Sequence, residues 1–165
     1  GKVNYLSPER RLIVAAMAET IIPKTDTPGA IDAGVPVYLE RMMADWLNDE
    51  EKAVFDSGLA DMETRIPAEY GKPFTALAPE QQRQILEAME VAAADSPWYS
   101  GGRVPGEFLS DAPFICQFKE LTVFGFFTSE VGSTQVLRYD PMPMYFDGDV
   151  PLGPGESSLV PPFMF

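Results

Sequence analysis

Apolar residues recur at helical spacing in successive segments of this chain, most with a recognisable start or stop. Ser7-Pro8-Glu9 reads as a helix opening: an N-cap serine, a proline at the first helical position and an acid in the first turn. Leu12, Ile13, Ala16, Met17 and Thr20 give its apolar stripe, and Pro23 ends it. Thr25 to Gly29 is a loop. A second helix is predicted from Pro36 to Leu47, loaded with Val37, Leu39, Met42, Met43, Trp46 and Leu47, and at that spacing Trp46 is expected in the core. Asn48 and Glu51 form a capping box for a third helix, whose stripe is Val54, Phe55, Leu59, Met62 and Ile66. Gly58 costs that helix about 1 kcal/mol relative to Ala, so a kink or break is expected there.

A turn at Tyr70 to Pro73 leads to a fourth helix opened by Pro79, with Ile85, Leu86, Met89 and Ala93 on one face. Asp95-Ser96-Pro97 closes it. The fifth helix starts near Asp111-Ala112-Pro113 and runs to about Val131, with Gly132 as its stop. It is apolar almost all round, the pattern of a central helix buried on most sides. No alternating strand pattern exceeds a few residues. The expected fold is all-α, a small bundle of about five helices around an apolar C-terminal helix.

Residues 133–165 break the pattern. The segment is rich in aromatics, Met and Pro and has neither helical nor strand periodicity. It is too apolar for a solvated linker and cannot build a core of its own. The chain therefore divides into a helical domain, 1–132, and an extended partner-binding arm, 133–165. The arm supplies the candidate interface residues Tyr139, Met142, Met144, Tyr145, Phe146, Leu152, Phe163, Met164 and Phe165, because aromatics and Met are enriched where proteins meet. Trp98 and Tyr99, in a Gly-, Ser- and Pro-rich loop, join them, weighed evenly against local packing.

Composition narrows the chemistry. The chain has 165 residues, enough for one domain with a real core. A net charge of −13 argues against nucleic acid and against an anionic membrane surface. There is no histidine, which removes the commonest general base and every Ser–His or Cys–His nucleophile pair. One cysteine, Cys116, cannot build a zinc site or an iron–sulfur cluster, and it reads as a small buried hydrophobe. Asp140, Asp147 and Asp149 contain calcium-type oxygen ligands, but not at EF-hand spacing, and read as turn residues. Glu120 and Glu130 lie ten positions apart, about 15 Å along one helix, too far for paired carboxylate catalysis. No catalytic, cofactor-binding or metal-ligating residue is assigned. No apolar run is long enough for a membrane helix, so direct membrane insertion is not expected. The opening Gly1-Lys2-Val3 is the start expected of a processed or trimmed product, and no signal peptide is visible.

Several motifs stand in a telling order. Leu121-Thr122-Val123-Phe124-Gly125-Phe126-Phe127-Thr128-Ser129-Glu130-Val131-Gly132 resembles the signature helix of the gluconate 2-dehydrogenase subunit 3 family. The elements Leu137-x-Tyr139-Asp140-Pro141-x-Pro143 and Gly148-Asp149-Val150-Pro151 are similar to the family's segments C-terminal to that helix. Glu19-Thr20-Ile21-Ile22-Pro23-x-Thr25-Asp26-x-Pro28-Gly29-Ala30 resembles the family's opening helix and loop. Gly34-Val35-Pro36 and Leu77-x-Pro79-Glu80-Gln81-Gln82 fit as well. The chain departs from the family near Met144, where Pro-Gly often stands.

The resemblance implies a non-catalytic small subunit of a sugar, gluconate or glucoside dehydrogenase complex. The expected partner is a large flavoprotein of the glucose–methanol–choline type that holds the FAD, leaving no cofactor in this chain. A c-type cytochrome subunit often takes the electrons in such complexes. Family precursors commonly carry a twin-arginine signal, so the resemblance also implies a periplasmic location and an escort role for the small subunit. The alternative from another class is a free-standing helical carbohydrate-binding module, or an enzyme domain working with carboxylates.

Overall fold

The computed structural model describes residues 4–99, 107–138, 149 and 151–158, and shows an all-α fold. Among them, α1 spans Pro8–Ile21, α2 Val35–Arg41, α3 Asp49–Tyr70, α4 Pro79–Ala92 and α5 Phe114–Phe127. Short 3-10 turns at Phe74–Ala76 and Pro97–Tyr99 flank α4, and π turns at Met42–Trp46 and Gly132–Val136 come after α2 and α5.

The helix starts obey the local chemistry. The Ser7 hydroxyl accepts from the Arg10 amide, with Pro8 in the first turn of α1. Asn48 and Glu51 cap α3 reciprocally, at 2.9 and 2.7 Å. The Gln81 side chain reaches back to the Ala78 amide at the start of α4.

α5 packs against α1, α2, α3 and α4. Its inner face is Phe114, Ile115, Phe118, Thr122 and Phe126, all buried. Phe55 of α3 meets Phe114 edge-on with ring centroids 5.5 Å apart, and Phe118 lies 5.4 Å from Phe114. Met17, Leu39, Met43, Leu59, Met62, Ile66 and Phe74 complete the core. Fully burying one such side chain contributes about 1.5–3 kcal/mol. Phe74 enters from the connection between α3 and α4, where helical periodicity gives no signal. It is held there by Gln82, whose amide donates to its carbonyl at 2.8 Å.

Four expectations are corrected. Gly58 neither kinks nor breaks α3, which runs unbroken from Asp49 to Tyr70. A Cβ built on Gly58 would overlap Cγ of Phe114, so the glycine is the slot that lets α5 approach α3. Trp46 is not core but 77% exposed. The second helix changes to a π turn at Met42, closed by Leu47 N–H donating to the Met42 carbonyl at 2.9 Å. The wider turn shifts the phase of the stripe, keeping Met43 inside and carrying Trp46 to the surface. Val37 and Leu12, counted in apolar stripes, are also exposed. α5 ends at Phe127 rather than about Val131, so Gly132 is not its stop. It opens a π turn, and a Cβ on it would overlap the Phe126 carbonyl oxygen.

Polar contacts fix the rest. Glu40 of α2 is buried and accepts from the amides of Tyr5 and Leu6 at 2.8 and 2.9 Å, while its carboxylate pairs with Arg11 of α1 at 2.9 Å. Arg10 reaches across to Asp56 and Glu63 on α3 at 3.0 and 3.1 Å. The Glu19 carboxylate accepts from the amides of Lys24 and Ile31, at 2.9 and 2.8 Å, and so closes the loop after α1.

Candidate partner-binding site

The outer face of α5 exposes aromatic and aliphatic surface. Burial of Phe114, Phe118, Thr122 and Phe126 at helical spacing turns Glu120, Val123, Phe124 and Phe127 the other way. Val123 is 36% and Phe124 49% exposed. The chain leaving α4 turns at Pro97–Tyr99 and lays Trp98 and Tyr99 beside this face. Together with Cys116, Lys119 and Glu120 these residues line a groove of about 330 Å³.

The groove's position is fixed from below and from the side. Cys116 is buried on its floor, as expected of a small hydrophobe. Lys119 is ion-paired with Glu90 of α4, which ties α4 to the groove's edge. The Tyr99 phenol is pushed up to about 12, first by burial and then by its hydrogen bond to Cys116. It is therefore protonated at physiological pH, and its hydroxyl serves packing. The residue as a whole remains 52% exposed, so its ring contributes to the groove wall.

The predicted interface residues separate into three sets. Trp98 and Tyr99 converge on the groove. Leu152 is 58% exposed on the segment 151–158, whose end is fastened to Arg138: the Arg138 amide donates to the Ser158 carbonyl at 2.8 Å, and its guanidinium lies 3.7 Å from Glu156. Tyr139, Met142, Met144, Tyr145, Phe146, Phe163, Met164 and Phe165 lie outside the described residues. Sequence reasoning misses Val123, Phe124 and Phe127, because it reads a helix apolar almost all round as buried on most sides; the charged Lys119 and Glu120 mark the side that stays outside. Phe114 seated against Gly58 then fixes the face of α5 that turns inward.

Glu120 lines the groove, whereas Glu130 is exposed beyond the end of α5, so the structure does not bring them together as an acid–base pair. Among the described residues no three carboxylate or thiol groups are gathered to hold a metal ion. Asp149 is exposed, and Asp140 and Asp147 lie outside the described residues. No helix among the described residues is long and apolar enough to cross a membrane.

Fold and groove define a small all-α protein that carries a groove lined largely by aromatic side chains. The chain belongs to the gluconate 2-dehydrogenase subunit 3 family, whose model matches residues 8–144. That match takes in α1 to α5, the Glu19 loop clamp and the whole groove, and stops before Tyr145. The family is one of dehydrogenase subunits, which implies a dehydrogenase partner. No curated protein and no solved structure matched the chain.

Proposed function

We propose that this chain is the non-catalytic small subunit of an FAD-dependent sugar or sugar-acid dehydrogenase of the glucose–methanol–choline type. It stabilises the large flavoprotein subunit and escorts it to the periplasm, where a c-type cytochrome takes the electrons. The observation that carries the reading is the family match across 8–144, over a fold that lines one groove with Trp98, Tyr99, Phe124 and Phe127. The absence of histidine from the sequence supports a role in binding rather than chemistry. The action is physical: binding only the folded large subunit shifts that subunit's folding equilibrium by mass action. Residues 133–165 serve as a second contact, an arm laid on the partner.

Co-production with its dehydrogenase subunit tests this. The expected outcome is a yellow complex of equal stoichiometry, with flavin absorbance belonging to the large chain. The isolated small chain binds no FAD and oxidises no sugar. Removing 152–165 weakens capture of the large subunit. Turnover of a carbohydrate by the isolated chain would overturn the proposal and favour the free-standing enzyme instead.

A further inference from the structure

The geometry points to the groove between the Pro97–Tyr99 turn and α5 as the surface that receives the dehydrogenase subunit, through a large apolar side chain flanked by basic residues. This rests on the subunit reading above and adds the location and chemistry of the contact. The walls are fixed by the fold: Val123, Phe124 and Phe127 project from a helix whose other face is core, and Trp98 and Tyr99 stand on a short turn whose amides donate to the Ser96 hydroxyl at 3.2 Å and the Ser96 carbonyl at 3.1 Å. Trp and Tyr are enriched at energetic centres of interfaces, and walls already fixed by the fold bind with little ordering cost.

The occupant is set by charge and shape. The groove is walled by aromatic and aliphatic groups, and its volume of about 330 Å³ suits a large side chain from a facing protein. Of the polar groups at it, the Tyr99 hydroxyl is engaged by Cys116 and Lys119 by Glu90. A sugar needs several convergent hydrogen-bonding groups, whereas the described lining is mostly apolar. The groove lies on a chain of net charge −13. A basic rim on the facing surface complements that field, whereas a second copy of this chain brings the same negative charge and is repelled.

The test places the photo-crosslinking residue p-benzoylphenylalanine at position 124 in the chain co-produced with its dehydrogenase subunit. Irradiation of the purified complex is expected to join the two subunits, at a large-subunit peptide carrying a bulky apolar residue beside Lys or Arg. Phe124→Ala, at a half-exposed position, is expected to keep the melting curve and to weaken the complex about tenfold or more, and added salt to weaken the unmodified complex. Crosslinking to a second copy, or within the same chain, overturns the assignment. So does an intact complex with no crosslink from position 124: that outcome leaves the subunit role standing and removes the groove from it. If the unmodified chain forms no complex at all, both readings fall.

Discussion

The ring of Phe114 occupies the space that a side chain at position 58 would need. A Cβ on Gly58 would overlap Phe114 Cγ and lie 2.6 Å from Phe114 Cβ. Helix propensity alone says that Gly58→Ala stabilises α3 by about 1 kcal/mol. Overpacking of a fixed aromatic opposes this and costs about 1–3 kcal/mol. The second effect wins because Phe114 is wedged between Phe55 and Phe118. Gly58→Ala is expected to lower the denaturation midpoint in urea. A raised midpoint would show that α5 slides aside freely.

Glu40 joins three pieces of chain: the segment before α1, α1 itself and α2. Arg11 holds its carboxyl below the usual glutamate range, helped by the Leu6 and Tyr5 amides and opposed by burial. A carboxylate depressed in the folded state stabilises above its unfolded pKa, and that stability is lost as pH falls through the folded value. The native protein therefore loses this contribution on acidification below the ordinary glutamate range. Glu40→Gln is expected to cost about 1–3 kcal/mol at neutral pH, since charged hydrogen bonds are removed while Arg11 stays partly hydrated. It also flattens the acid limb of the stability profile. Parallel acid limbs in the two proteins would remove Glu40 from this role.

The Glu19 carboxylate stands where a side chain on Gly29 would go: a Cβ there would overlap Glu19 Oε1 and lie 2.6 Å from the Lys24 nitrogen. Lys24 and Ile31 amides both end on that carboxylate. In Glu19→Ala these two amides should exchange with solvent hydrogen at least about tenfold faster, equivalent to losing about 1.4 kcal/mol of protection. The Ala18 amide, inside α1, serves as the internal control. Unchanged exchange at Lys24 and Ile31 would mean that the loop holds without its clamp.

Trp46 emission offers a direct check on the π turn. With Trp46 exposed and Trp98 half-buried, the native protein should show one tryptophan population readily quenched by iodide and one protected. Trp46→Phe is expected to abolish the accessible population and to change stability by less than about 0.5 kcal/mol, as for a surface site. Loss of the protected component instead would place Trp46 in the core.

Much of the scaffold was legible because its signals are local. Ser7-Pro8, the Asn48–Glu51 box and Pro79 each set a helix start through contacts within one turn. The stripe Phe55, Leu59, Met62 and Ile66 is buried as its spacing requires. The groove was only half legible. Trp98 and Tyr99 stood out as large aromatics in a polar loop, but their neighbours on α5 are apolar residues like those of its buried face. Trp46 misled, because periodicity reports the phase of a regular helix and not where a π turn resets it, whereas Leu12 and Val37 lie in regular helix, outside the buried face.

By itself the chain determined that it would be helical, where most helices begin, and that it carries no imidazole chemistry, since capping residues and proline act over a few positions and composition needs no fold at all. Tertiary packing alone decided which face of α5 turns inward, that Gly58 and Gly29 make room for Phe114 and Glu19, and that Glu40 gathers Tyr5, Leu6 and Arg11. Those contacts join residues far apart in sequence, and their energies exist only once the helices have closed on one another.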